Sequence, residues 1–236
     1  MTITDLRIGV FAYNFPHKKT NDFLYRMLTD QIPVSLILAA DPVKLPLQPS
    51  AVKTKVRHQG LVHSRQIADT FGIPYEVFPH NSVETIEKIK EHRLDLGIIA
   101  GARILKAEII DAFPMGVINF HPGILPAIRG LDALLWSIEK DVPLGITSHL
   151  IDRRVDAGLL IEKFLIPIYK DDTAFDLTER LQEYQLDMIG RSIKKVLEGK
   201  MEEMETGQAY NRKMDGATEV AVLNKLPNFI ARYATI

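Results

Sequence analysis

Asn119 and His121 stand two apart at the end of an apolar run, in the stretch VINFHPGILPAIRG (117–130). On an extended chain, residues two apart point to the same face. An amide donor and an imidazole would then share one wall. Asn can donate a hydrogen bond without adding charge, which suits a developing oxyanion. His titrates nearest neutral pH and can give or take a proton. Asp156 follows His121 by about 35 residues, in VDAG. A carboxylate near an imidazole favours its charged form and can hold or pass a proton. The set has no nucleophile, because the chain has no cysteine and no serine sits in a G-x-S-x-G elbow. That favours direct transfer between two bound substrates over a covalent intermediate. The residue types alone leave a plainer reading open. Asn or His at a strand end can be a turn or packing residue, and Asp before Ala-Gly is a common turn residue.

Three such side chains need a frame. Short apolar runs at 7–13, 33–40, 73–78, 95–101 and 115–121 alternate with helical spacing at 21–30, 61–72 and 82–93. The first of these runs is nearly unbroken, as in a strand buried on both faces. Alternating strands and helices predict an α/β fold: a Rossmann-like, open, mostly parallel sheet with helices on both faces. In such sheets ligands gather at the carboxyl ends of the strands, where Asn119 and His121 would lie. Residues 144–152 and 159–168 read as a neighbouring strand pair, with Asp156 in the connection. The longest helix spans 173–199, with Leu177, Leu181, Tyr184, Met188 and Val196 on one stripe. Thr173 and Asp176 form a capping-box pattern at its start, and Gly199 ends it. Residues 200–236 are weakly patterned. The loop at 41–60 is rich in proline and basic residues and too long for a simple connector.

Composition narrows the class. The 236 residues are 46% hydrophobic and 25% charged, with a formal net charge of −1. Neither a nucleic acid nor a membrane partner follows from that balance. Without cysteine, disulfides and thiolate metal sites are excluded, and no metal is expected. The first residues lack a basic region followed by a long apolar stretch, and no apolar run nears the roughly 20 residues of a membrane span. The expectation is a cytoplasmic protein.

The stretch DLGIIAGARILKAEIIDAFPMGVINFHPGILPAIRG (95–130) resembles the core of the folate-dependent formyltransferases. Their signature is G-x-I-N-x-H-x-S-L-L-P-x-x-x-G, followed by a distant D-x-G. Asn119, His121, Leu125, Pro126 and Gly130 match, VDAGLLIEKFLIPI (155–168) supplies Asp156 and Gly158, and DTAFDLTERL (172–181) resembles the later family segment. The resemblance covers most of residues 1 to 200. It implies a formyltransferase fold, with a catalytic domain over 1–200 and a short C-terminal extension over 201–236. It also implies an enzyme that moves a formyl group from 10-formyltetrahydrofolate, as co-substrate, to a primary amine. Asn119, His121 and Asp156 would be the catalytic residues. The pterin would slot between GARIL (101–105) and IDRRVDAG (151–158). Arg103, Leu105, Ile110, Asp152, Arg153, Arg154 and Gly158 are the residues expected to bind the folate.

Two departures bear on the acceptor. Gly123 stands where the family usually has serine. The stretch FAYNFPHKKTND (11–22) lacks the glycine-rich phosphate loop of the glycinamide ribonucleotide enzymes. The methionyl-tRNA enzymes carry a further C-terminal domain, and here only a short tail follows the long helix. A nucleotide-linked amino sugar is therefore the expected acceptor, with Tyr13, Phe15, His17, Lys18 and Trp136 as candidate contacts. Trp136 is expected on a helix beside the site. Alternatives are a methionyl-tRNA formyltransferase-like enzyme, with Lys44, Lys53, Lys55, Arg57 and Arg65 touching phosphates, or a formyltetrahydrofolate hydrolase. A non-enzymatic nucleotide-binding module fits less well, since no G-x-G-x-x-G follows the first strand. No membrane partner is expected, and a homodimer is allowed.

Overall fold

The computed structural model describes residues 2–44, 46, 50–51, 61–154, 158–205 and 209–235. Asp156, Lys53, Lys55 and Arg57 lie outside the described residues. The strands are β1 (Ile8–Tyr13), β2 (Leu36–Ala40), β3 (Tyr75–Val77), β4 (Leu96–Ile99), β5 (Val117–His121), β6 (Gly145–Leu150), β7 (Leu159–Leu165) and β8 (Glu202–Glu203). They form one sheet in the order β3-β2-β1-β4-β5-β6-β7-β8. Pairing is parallel from β3 to β5 and antiparallel from β5 to β8. The helices are α1 (Lys18–Thr29), α2 (Ser64–Phe71), α3 (Val83–Glu91), α4 (Ala107–Ile110), α5 (Ala133–Glu139), α6 (Ala174–Leu197), α7 (Gly216–Leu223) and α8 (Leu226–Tyr233). None of the described helices is long and apolar enough to cross a membrane.

β1 is apolar throughout because both of its faces are covered. Ile8, Val10 and Ala12 pack with Phe23, Leu24 and Met27 of α1 and Leu177, Met188 and Ile189 of α6. Phe11 points the other way, into a second core with Leu36, Leu38, Ile89 and Phe113. The α6 stripe is as the heptad-like spacing requires: Leu177, Leu181, Met188 and Val196 are buried. Its Thr173–Asp176 capping box forms.

β5 outruns its neighbour. β4 pairs with it only through Gly97–Val117 and Ile98–Ile118. On the other side, β6 continues to His121, opposite Thr147. The end of β5 thus faces a gap where β4 has stopped. The Lys19 ammonium, from the first turn of α1, donates to the Phe120 carbonyl at 3.0 Å there.

The stretch after 200 is more ordered than its weak patterning suggests. β8 pairs with the edge of β7, and Val222, Phe229 and Ile230 join the main core. Glu219 of α7 is only 1% exposed. It accepts from Lys213 Nζ at 2.9 Å, from Ser50 Oγ at 2.8 Å and from the Ala51 amide. Burial pushes its carboxyl up, but these donors outweigh burial and hold the pKa at about 2. His17 caps α1, its Nδ1 accepting from the Thr20 amide. Burial first, and then Lys19, lower its pKa to about 4, against a smaller opposing pull from Asp22. The cap requires the lone pair of the neutral ring.

Both groups put their stability on the same side of the pH scale. Each has a folded pKa below its ordinary value, so its contribution is present at neutral pH and lost on acidification. His17 acts as pH falls from 6.5 to about 4, and Glu219 as it falls from 4.5 towards 2. Urea midpoints measured from pH 7 to pH 3 should fall in two overlapping steps. Glu219→Gln should flatten the lower step and His17→Asn the upper. A flat profile in the unmodified chain would contradict both assignments.

Candidate active site

A cavity of about 650 Å³ opens at the carboxyl ends of β1, β4 and β5. The strand order reverses between β1 and β4, and crevices form at such switch points. Tyr13, Ile99, Asn119 and His121 come from the strand ends. Ala102, Arg103, Ile104 and Leu105 form one wall, and Ile151, Asp152 and Arg154 another. Gly130, Leu131 and Tyr210 make a lip.

Asn119 and His121 do share a face, while Phe120 between them is buried in the main core. His121 Nε2 lies 2.7 Å from the Ile128 carbonyl. A carbonyl only accepts, so Nε2 carries the hydrogen. The neutral ring therefore keeps its lone pair on Nδ1, the atom at which it gains a proton. Gly123 makes room for this bond. A Cβ there would sit 3.0 Å from His121 Nε2 and 2.9 Å from Ile128 Cγ2. Thr147 pins the same loop, donating to the Gly123 carbonyl at 2.8 Å and accepting from the Leu125 amide at 3.0 Å. The Leu125–Pro126 peptide is cis.

Asn119 is oriented by His149, its register partner on β6. An amide nitrogen only donates, so Nδ2 gives one hydrogen to His149 Nε2 at 3.2 Å. The second N–H has no partner among the described residues and is the donor available to a ligand. His149 is fully buried. The residue types alone gave no hint of it. The antiparallel register would have, since partners directly opposite share a face.

The other expected site residues divide. Arg103, Leu105, Asp152 and Arg154 line the cavity. Arg103 is exposed and donates to the Val43 carbonyl at 2.8 Å. Asp152 is bound by the Arg154 side chain and by its backbone amide, the latter at 2.7 Å. Burial pushes the Asp152 carboxyl up, yet Arg154 and Arg153 hold it below the ordinary value. Arg153 is exposed. The structure does not bring Ile110 to this cavity. Its side chain is buried in the second core and edges a neighbouring hollow of about 940 Å³, together with Gly158. Tyr13 lines the cavity and stacks on Phe15, with ring centroids 5.0 Å apart. Lys18 is paired with Asp22 at 2.7 Å. Trp136 is on α5, where its indole N–H donates to the Arg212 carbonyl at 2.8 Å. No group of three or more His, Asp or Glu residues is placed to hold a metal among the described residues.

The family described as formyl transferase matches residues 40–193. The chain belongs to the formyl transferase family. A methionyl-tRNA formyltransferase of Caldanaerobacter subterraneus subsp. tengcongensis is 33% identical over 125 residues, covering 51% of this chain and 40% of that protein. A phosphoribosylglycinamide formyltransferase of Bacillus subtilis is 30% identical over 140 residues, covering 55% of this chain and 72% of that protein. The chain thus spans half or less of the methionyl-tRNA relative. Among solved structures, phosphoribosylglycinamide formyltransferase from Anaplasma phagocytophilum has a TM-score of 0.64 at 21% identity, covering 87% of this chain and 97% of that one. A sugar N-formyltransferase from Shewanella sp FDAARGOS_354 has a TM-score of 0.60 at 16% identity, covering 93% and 87%. At these identities the structural likeness establishes the formyltransferase fold. Tyr210 and His17 lie outside the matched formyl transferase region, and His149 lies within it.

Proposed function

We propose that the chain transfers a formyl group from 10-formyltetrahydrofolate to a primary amine, with a nucleotide-linked amino sugar as the acceptor. The observation that carries this reading is the pairing of Asn119 and His121 on one wall of a strand-end cavity. Family membership supports the donor. The acceptor rests on the absence of a glycine-rich phosphate loop after β1 and on the breadth of the fold likeness, which includes a sugar N-formyltransferase.

In this reading the neutral amine attacks the formyl carbon and a tetrahedral oxyanion forms. The second N–H of Asn119 donates to it, and His121, protonated at Nδ1, offsets its charge. The new C–N bond is kept, the bond to the folate nitrogen breaks, and the amine's proton ends on that nitrogen. Asp156 is assigned from sequence as the carboxylate that favours the His121 imidazolium. Arg103, Leu105, Asp152 and Arg154 would face the folate.

The test is a panel. The protein is mixed with 10-formyltetrahydrofolate and, separately, aminosugar nucleotides, methionyl-tRNA, glycinamide ribonucleotide or small amines. Mass spectrometry shows which acceptor gains a formyl group. Turnover of the donor at one rate with and without every acceptor would replace this reading with a hydrolase. Formylation of methionyl-tRNA alone would move the acceptor assignment to the tRNA enzymes, the reading that the 33% identity favours.

A further inference from the structure

One residue of the cavity's lip comes from beyond the C-terminal end of the matched region. Tyr210 lines the cavity and is 40% exposed. A backbone clasp holds it there. The Asn211 amide donates to the Arg129 carbonyl and the Leu131 amide donates to the Asn211 carbonyl, both at 3.0 Å. These bonds form a parallel bridge between Asn211 and Gly130. Side chains reinforce it. Lys140 Nζ donates to Asn211 Oδ1 at 2.7 Å, and the Met214 amide donates to Asp132 Oδ2 at 2.8 Å. Only glycine fits opposite. Gly130 has φ of +94°, and a Cβ there would lie 2.2 Å from the Asn211 carbonyl oxygen and 3.0 Å from the Tyr210 ring. The lip is completed by Leu131, itself 43% exposed.

We propose that Tyr210 is a specificity-determining residue for the acceptor, its ring and Leu131 forming a flat apolar lip that packs against the C–H face of an amino-sugar ring. This rests on the formyl-transfer reading above. A pyranose ring has a face of C–H groups and an edge of hydroxyls. A tyrosine has an apolar body and a polar tip, and matches both. The lip borders the same cavity as Asn119 and His121, so a sugar resting on it can present its amine to them. The aromatic ring is rigid and loses little conformational freedom on binding.

The test compares Tyr210→Ala and Tyr210→Phe with the unmodified chain. Acceptor KM and kcat are measured with uridine- and thymidine-diphosphate-linked 4-amino sugars, and donor affinity by calorimetry with 5-formyltetrahydrofolate. Tyr210→Ala should raise acceptor KM about tenfold or more, with folate affinity unchanged. Tyr210→Phe should stay within about threefold of the unmodified chain, because the ring face is kept. An unchanged acceptor KM in Tyr210→Ala overturns the proposal, as does an equal loss of folate affinity. If the unmodified chain binds the folate but formylates only methionyl-tRNA, the amino-sugar lip is wrong and formyl transfer stands. If it binds no folate, both fail.

Discussion

Replacing His121 with alanine is expected to slow formyl transfer about 10²–10⁴-fold while leaving donor binding in place. The imidazole sits at the end of β5 with Nε2 committed to the Ile128 carbonyl, so in the proposed mechanism Nδ1 is the ring atom that carries the proton. Alanine removes that atom and also strands a buried carbonyl, which costs about 1–3 kcal/mol. The rate should therefore be read well below the melting temperature, in single turnovers, with folate affinity measured alongside. Asn119→Ala should cost about 10²–10³-fold, the usual loss for one oxyanion donor. It also deprives the buried His149 of its 3.2 Å donor. The two changes act on one transition state, so the double variant should lose less than the product of the single losses. A His121→Ala chain that binds folate and transfers at the original rate would remove His121 from the mechanism.

The second large effect is expected at Gly158, the glycine of the Asp-x-Gly pair. It has φ of +108°, and a Cβ there would lie 2.0 Å from the Leu150 carbonyl oxygen. Leu150 and Leu159 are register partners where β6 meets β7. Alanine must either open that pair or take up a strained backbone, a cost on the order of 2–3 kcal/mol. For a chain of this size that is a fall of roughly 4–12 °C in melting temperature. The shift would also move the adjoining segment with Asp152 and Arg154, which lines the cavity. Folate affinity should weaken together with stability. Thermal melts and folate calorimetry on Gly158→Ala check both, and an unshifted melt would contradict the clash.

The frame was legible because burial on both faces leaves a plain mark. β1 reads as IGVFAY, and alternate residues feed the two cores. Thr173 announced its helix because it is an ordinary cap, and it accepts the expected amide, as Ser82 does at the start of α3. His17 and His63 cap α1 and α2 in the same way, but histidine is not among the usual cap residues, so those starts were hidden. Asn119 and His121 were legible through period-two spacing. His149 was not, because its placement depends on an antiparallel pairing about 30 residues away in sequence. Ile110 was drawn in by the family's pattern, yet its short helix turns the side chain into the second core. α7 (GATEVAVL) has no single apolar stripe, and α8 opens on a proline that reads as a break rather than as a first helical turn. What orders them is tertiary: the clasp at Gly130 and the buried Glu219.

The clasp has an optical consequence. Trp136 is the chain's single tryptophan, and its indole is bonded to Arg212, two residues from Tyr210. Its emission is expected to shift when that segment is unseated. If the proposed acceptor rests on this lip, the protein carries a built-in fluorescent gauge beside it. Colourless acceptors could be titrated by the colour of this one indole, without a label and without turnover. Ligands that never reach the lip would leave its emission unchanged.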